Sequence, residues 1–309
     1  MMAQNSSNKM GWLPVTGMVF VAIIIVTGLF SGPHNIGPWG GWGAWSGISY
    51  EEAFLLVLLG FVSGSVGGML GMGGGVLKVI ILHLLLGFTI PFARVVSLLS
   101  YVVISLSSFM RYRKYGLVLW GMTKLLIISS ILGVLIGVVI GSWINIEYVE
   151  ILLGIYALCT GVIVLNQMWV NPTEEEISEL DEGEVNETTV SGIGFGMGLI
   201  SSLIGISGGI LSTPLQQTLL KIPLKNAIAN SITAAIFCSF TGSIFLLYSG
   251  VKSASFLLED VFIVAICLVP GNILGAQFGS SLTKRLHVNY VRVTFVVVIF
   301  AIGFRILLI

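Results

Sequence analysis

Apolar runs of about 20 residues, the length that crosses a bilayer core as a helix, recur along this chain. They fall at 12–30, 51–70, 76–88, 92–110, 118–143 and 147–170, and, beyond a polar loop at 171–188, at 190–206, 208–220, 226–249, 258–283 and 288–309. Continuous apolar runs predict transmembrane helices and not the alternating strands of an outer-membrane barrel. Two stretches are too long for one crossing. As straight helices at about 1.5 Å per residue, 53–88 would reach roughly 54 Å and 190–220 about 46 Å, against a hydrocarbon core of about 30 Å. Each is interrupted by glycine, in "GGMLGMGGGVLK" at 67–78 and "SSLIGISGGILS" at 201–212. The pattern predicts that both fold back as hairpins, with glycine permitting the bend and a close backbone approach.

The two hairpins belong to an internal repeat. At an offset of 134, Gly60, Phe61, Gly64, Gly71, Gly74, Gly75 and Leu77 match Gly194, Phe195, Gly198, Gly205, Gly208, Gly209 and Leu211. The same offset pairs Ser97 with Ser231, Ser105 with Ser239, Gly116 with Gly250, Gly137 with Gly271 and Gly141 with Gly275. Each unit is one hairpin followed by three spans, and an odd number of crossings inserts the second unit upside down. The expected fold is an all-α integral membrane protein. It is a polytopic helical bundle of two inverted-topology repeats after one extra N-terminal helix. Residues 1–50 hold that helix and a Trp/Gly-rich interfacial segment, 51–170 the first unit, 171–189 an acidic linker and 190–309 the second unit. This is the plan of many secondary transporters, in which interrupted helices from both halves meet near the midplane and form the substrate site.

Composition agrees. The chain is 56% hydrophobic and 9% charged, where soluble domains carry about 25% charged residues. Position matters more than the net charge of zero. With the N-terminus in the cytoplasm, Lys9, Arg111, Arg113, Lys114, Lys221, Lys225, Lys284 and Arg285 fall inside, and Arg94 and Lys252 lie outside near span ends. That bias obeys the positive-inside rule, with the C-terminus outside and the linker in the cytoplasm. The linker carries Glu174, Glu175, Glu176, Glu179, Asp181, Glu182, Glu184 and Glu187 with no base, and reads as a solvated segment. Trp39, Trp42 and Trp45 sit where amphipathic rings favour the headgroup level. Cys159, Cys238 and Cys267 and the three histidines are scattered. They point to packing and imply no disulfide framework, metal or cofactor. No nucleotide loop, nucleophile constellation or nucleic-acid patch appears, so an enzyme is not expected.

The segments "GSVGGMLGMGGGVLKVIIL" and "GLISSLIGISGGILSTPLQQ" resemble the twin G-x-G-G-G-x-x-x-x-P motif of the TauE/SafE family, also called the sulfite exporter family. Pro91 and Pro223 after each hairpin and Gly116 and Gly250 fit it as well. The resemblance runs from about 51 to 309. It implies a transporter of small, mostly sulfur-containing anions (sulfite, sulfoacetate, thiosulfate or related organosulfonates) in the cytoplasmic membrane of a bacterium or archaeon. The partners implied are that anion, the lipid bilayer and a proton or ion gradient for coupling. The pattern departs at Ile80, where the second copy has Pro214, at Ser207 in place of the first glycine, and at Lys78, opposite Ser212.

An anion needs donors shielded from water, and the first turn of a helix offers free N–H groups and about half a positive charge. Gly74 and Gly75 precede one returning helix and Gly208 and Gly209 the other, which makes them candidate substrate contacts. The alternative is that they only permit close packing. Lys78 is a base deep in an apolar segment and so a functional candidate. It either pairs with the anion or changes protonation during transport, or else it snorkels to an interface. Ser207, Ser212 and Gln216 flank the second turn, and Asn230, Ser231 and Thr233 follow on the next helix, with Ser97 and Ser100 as counterparts in the first unit. Hydroxyls often serve only their own helix, whereas the amides of Asn230 and Gln216 demand partners when buried. Asn272 and Gln277 are further candidates for the same cavity. Arg94 reads as an interfacial anchor or an attractor at the entrance. The first functional reading is a carrier working by alternating access, and the alternative is a passive channel for a small anion or neutral solute. No buried acid within the predicted spans is available as a proton relay.

Overall fold

The computed structural model describes residues 50–70, 74–141, 143–144, 146–170, 186–282, 296 and 300. The N-terminal helix, the tryptophan cluster, most of the acidic linker and most of the last segment lie outside the described residues. Nine α-helices are described: α1 Tyr50–Leu70, α2 Gly75–Ile80, α3 Ile90–Lys114, α4 Trp120–Gly141, α5 Ile146–Val170, α6 Glu187–Ile204, α7 Gly209–Leu219, α8 Leu224–Lys252 and α9 Leu258–Leu282. Helix α2 runs on into a π-helical turn, Ile81–Leu85. No strand occurs among the described residues. Five of the helices contain a stretch long and apolar enough to cross a membrane: Glu52–Met69, Ile90–Lys114, Trp120–Gly141, Leu224–Lys252 and Leu258–Leu282. Their outward faces carry bare apolar side chains such as Phe54, Ile128, Leu132, Phe240 and Leu274, as a lipid-facing surface requires. The protein is a polytopic all-α membrane protein.

Local chemistry sets the breaks. Asn186 caps α6, its side chain accepting from the N–H groups of Thr188 and Thr189, which would otherwise be unpaired. Gly205 ends α6 in the left-handed region at φ 75°, a conformation that costs residues with a Cβ about 1 kcal/mol or more. Pro91 lies in the first turn of α3 and Pro223 caps α8, where a missing N–H does no harm.

The long helices pack crosswise. The main pairs are α1 with α9, α4 with α6 and α3 with α8, followed by α3 with α9 and α4 with α8. The first arm of each hairpin therefore lies along a long helix of the other half. Glycines make the approach close. A Cβ on Gly64 would stand 2.8 Å from the Asn272 carbonyl oxygen and 3.1 Å from the Ala276 nitrogen, and one on Gly198 would overlap the Ser130 carbonyl and stand 2.8 Å from the Val134 nitrogen. Conversely, Gly275 meets the backbone of Phe61 and Ser65, and Gly133 that of Phe195 and Leu199.

These reciprocal contacts correct one part of the sequence alignment. The hairpins correspond at the offset of 134, but in the later helix the contacts equate Gly133 with Gly275 and Gly137 with Gly279. The pairing of Gly137 with Gly271 and of Gly141 with Gly275 is therefore out of register. The reason is local: α8 has 29 residues against 25 in α3, and Gly275 lies four positions further into α9 than Gly133 does into α4, so the second copy falls eight residues further on.

Candidate functional site

The two hairpin turns meet in the interior. A Cβ on Gly75 would stand 3.2 Å from the Ser207 nitrogen, 3.3 Å from Ser97 Oγ and 3.6 Å from Ile206 Cα. The Ser97 hydroxyl donates to the Gly75 carbonyl at 3.1 Å, and the Gly209 N–H donates to Ser207 Oγ at 3.3 Å. Both turns close in the same way. Gly74 sits against the carbonyl of Ser63, and Gly208 against that of Met197, the matching position. Gly74, Gly75, Ser97, Ser207, Gly208 and Gly209 are thus brought together by two backbones packing where only glycine fits.

Unpartnered donors surround this junction. The hydroxyls of Ser100, Tyr101, Ser105, Ser201 and Ser239 are buried with no hydrogen-bond partner. The Tyr101 hydroxyl lies beside Ser207 and Ser105, and Cys238 beside Ser201 and Tyr101. A buried hydroxyl without a partner costs about 1–3 kcal/mol, and three of these, on Tyr101, Ser105 and Ser201, gather beside Ser207 and Cys238 and call for a common explanation. Sequence reasoning missed Tyr101 and Ser201. The signal for Tyr101 was present, since Ser97, Tyr101, Ser105 and Ser108 recur every three or four residues along α3 and form a polar stripe in an apolar helix.

Next to the second turn the polar groups are satisfied instead. Gln216 donates to Ser212 and Ser231 Oγ, both at 2.8 Å, Thr213 donates to Ser231 at 3.0 Å, and Ser231 donates to Ser212 at 3.1 Å. Asn230 donates to Gln216 Oε1 at 3.3 Å and accepts from the Leu119 N–H and the Thr123 hydroxyl at 2.9 and 3.0 Å. This network holds Ser212, Gln216, Asn230 and Ser231 in fixed positions and ties α7 to α8 and α4. Thr233 stands apart, donating to the Ala229 carbonyl of its own helix at 2.7 Å.

Lys78 is fully buried and does not reach toward an interface. Its Nζ donates to Asn272 Oδ1 at 3.0 Å, while the Asn272 Nδ2 has no partner. Gln277 belongs elsewhere, accepting from Arg111 Nε at 2.9 Å and donating to Ser107. Arg94 is no interfacial anchor. It is only 7% exposed, and its Nη2 donates to the carbonyls of Ser202 at 2.8 Å and Leu203 at 2.6 Å. The last carbonyls of α6 lack helical partners, so the guanidinium caps them against the negative end of the helix dipole. Among the described residues, the buried interior holds two bases, Lys78 and Arg94, and no carboxylate. An interior with that balance of charge favours an anion.

The profile of the sulfite exporter TauE/SafE family matches residues 56–306. The chain belongs to this family. It is 32% identical over 324 residues to the probable membrane transporter protein MamO of Magnetospirillum gryphiswaldense, covering 96% of this chain and 51% of that protein. The MamO of Paramagnetospirillum magneticum is also 32% identical, over 84% of this chain and 45% of its own length. The chain spans about half the length of these curated relatives. The probable membrane transporter protein YunE of Bacillus subtilis is 27% identical over 81% of this chain and 95% of YunE. No solved structure matches. The glycine breaks of both hairpins fall inside the matched span, and so do all the side chains named in this site.

Proposed function

We propose that this TauE/SafE protein is a secondary transporter of small sulfur-containing anions such as sulfite, thiosulfate or sulfoacetate, working by alternating access in the cytoplasmic membrane. The observation that carries the reading is the set of unpartnered buried hydroxyls around the junction of the two hairpin turns, in an interior with bases and no acid. An oxyanion entering there accepts from Tyr101, Ser105, Ser201 and Ser207 together with the N–H groups that begin the returning helices at Gly74, Gly75, Gly208 and Gly209. Lys78, one turn along, balances the charge and is held by Asn272. Ser97 and Ser100 complete the first-unit side, and the network of Ser212, Gln216, Asn230 and Ser231 keeps the second turn in place. Thr233 has a structural role.

The reciprocal packing of α1 on α9 and of α6 on α4 supports an inverted repeat, in which two equivalent arrangements related by exchange of the halves present the site to opposite sides. Proton or ion coupling then needs a titrating group, and Lys78 is the candidate.

The test is thermal unfolding of the detergent-purified protein with sulfite, thiosulfate, sulfoacetate, taurine, sulfate and acetate, with wild type beside Tyr101→Phe and Lys78→Ala. Ligand at 100 times Kd adds about 2.7 kcal/mol to the folded state. Stabilisation by one sulfur anion, lost in Tyr101→Phe while the unliganded melting temperature holds, is the expected result. No stabilisation by any anion refutes the reading and favours a pore for a neutral solute.

A further inference from the structure

A second polar site lies away from the hairpin junction. The start of α3, the end of α4 and the end of α8 enclose a cavity of about 120 Å³ lined by Pro91, Arg94, Val138, Ser249, Gly250 and Ser255, among others. A water needs only about 10–15 Å³ of such space, so several waters or one compact ion fit. Arg94 is the one charged side chain in the lining, and the hydroxyls of Ser249, Ser253 and Ser255 add polar groups around it. The Ser253 and Ser255 hydroxyls lie 2.7 Å apart, on a loop held in place by Phe256, whose ring closes on Gly250 and packs edge-on to Phe92 at 6.1 Å. Ala254, between the two serines, has φ 51°, an uncommon conformation for a residue with a Cβ.

The Arg94 side chain lines the cavity. Its Nη2 is committed to the Ser202 and Leu203 carbonyls, its Nε has no partner, and its aliphatic stem lies against Gly205, where any side chain would collide with it. Two residues beyond Gly205 comes Ser207, part of the hairpin junction. Arg94 therefore lines the cavity and also touches the turn that carries the candidate substrate contacts. The carbonyl ends of α4 and α8 also border the cavity, so its attraction for an anion comes from Arg94. The position matching Arg94 in the other half is Ile228, buried and apolar, so that position offers no second guanidinium.

We propose that this cavity is a vestibular site for a small, singly charged oxyanion of sulfonate size, held by Arg94 with the serine hydroxyls and distinct from the site at the hairpin junction. A planar guanidinium suits an oxyanion because it offers several donors in a fixed fork. An anion there draws on the same guanidinium that caps the Ser202 and Leu203 carbonyls. Its arrival loosens the end of α6 next to the turn, and that makes the vestibule an entry gate. The proposal rests on the small-anion reading for its choice of ligand.

The experiment places a thiol in the cavity as Ser249→Cys, in the full chain with Cys159 and Cys267 replaced by alanine, and compares its labelling by an anionic and a cationic methanethiosulfonate reagent, each normalised to a free thiol. The site predicts a preference for the anionic reagent of about tenfold or more, as one-signed clefts produce, reduced toward unity by Arg94→Gln. Arg94 also caps α6, so a second arm leaves it intact: methanesulfonate must slow labelling by an uncharged reagent, and the slowing must saturate at millimolar concentrations. Equal rates for the two charged reagents, or labelling indifferent to methanesulfonate, overturns the proposal. Labelling requires no transport. A failure of anions to stabilise the protein through Tyr101 would refute the central site while leaving this result to stand or fall by itself.

Discussion

Helix α6 offers an internal comparison of what its glycines do. Gly198 faces α4 so closely that a Cβ would overlap the Ser130 carbonyl and stand 2.8 Å from the Val134 nitrogen, where ordinary contact begins at 3.4 Å. Gly192, on the same helix, would place a Cβ in open space. Alanine at an unobstructed helical position gains about 1 kcal/mol over glycine, so Gly192→Ala should stabilise by that amount. Gly198→Ala has the same gain but must push α4 and α6 apart against backbone atoms that cannot rotate away. Overpacking of this kind costs about 1–3 kcal/mol, and the backbone overlap places Gly198 at the upper end, for a net loss of about 2 kcal/mol. The two variants should therefore lie about 3 kcal/mol apart. Thermal or SDS-induced unfolding of the purified protein reads this as melting shifts of opposite sign. If both variants shift the same way, or Gly198→Ala is the more stable, the close contact of α4 with α6 is not what the glycine serves.

Two further substitutions probe the buried bases. Asn272→Leu strands the Lys78 ammonium and should cost more stability than the double variant Lys78→Met/Asn272→Leu, since an unpaired buried charge is worse than none; unfolding curves in which the double variant is the less stable would contradict the pairing. Gly205→Ala adds left-handed strain of about 1–2 kcal/mol to a clash with the Arg94 stem, and should lower the melting temperature more than Gly192→Ala raises it. An unchanged melting temperature would mean that Arg94 does not sit against the turn.

The hairpins, their glycine breaks and their mutual approach could be read from the sequence, because helix rise and bilayer thickness leave no other way to fit 53–88 and 190–220. The register of the later helices could not. Glycines are dense there, a match at one fixed offset arises easily, and only the atoms facing Gly133 and Gly275 reveal the eight added residues. Arg94 looked interfacial because it follows a proline near a helix start. Its burial depends on the open carbonyls of α6, whose position is set by tertiary packing. The partner of Lys78 was equally hidden, because Asn272 lies 194 residues away and no local pattern connects them. Tyr101 was legible in its polar stripe, yet an aromatic residue in an apolar helix is first read as packing.

The crosswise packing of α1 on α9 and of α4 on α6 has a consequence for biogenesis. The glycine face of α1 finds its packing partner only when α9 has been made, so in a chain inserted in order that face waits for most of the remaining chain. Neither half can complete its interior alone. Cut within the acidic linker, the protein should yield two fragments that fold only when synthesised together, because each supplies the packing partner of the other's first hairpin arm.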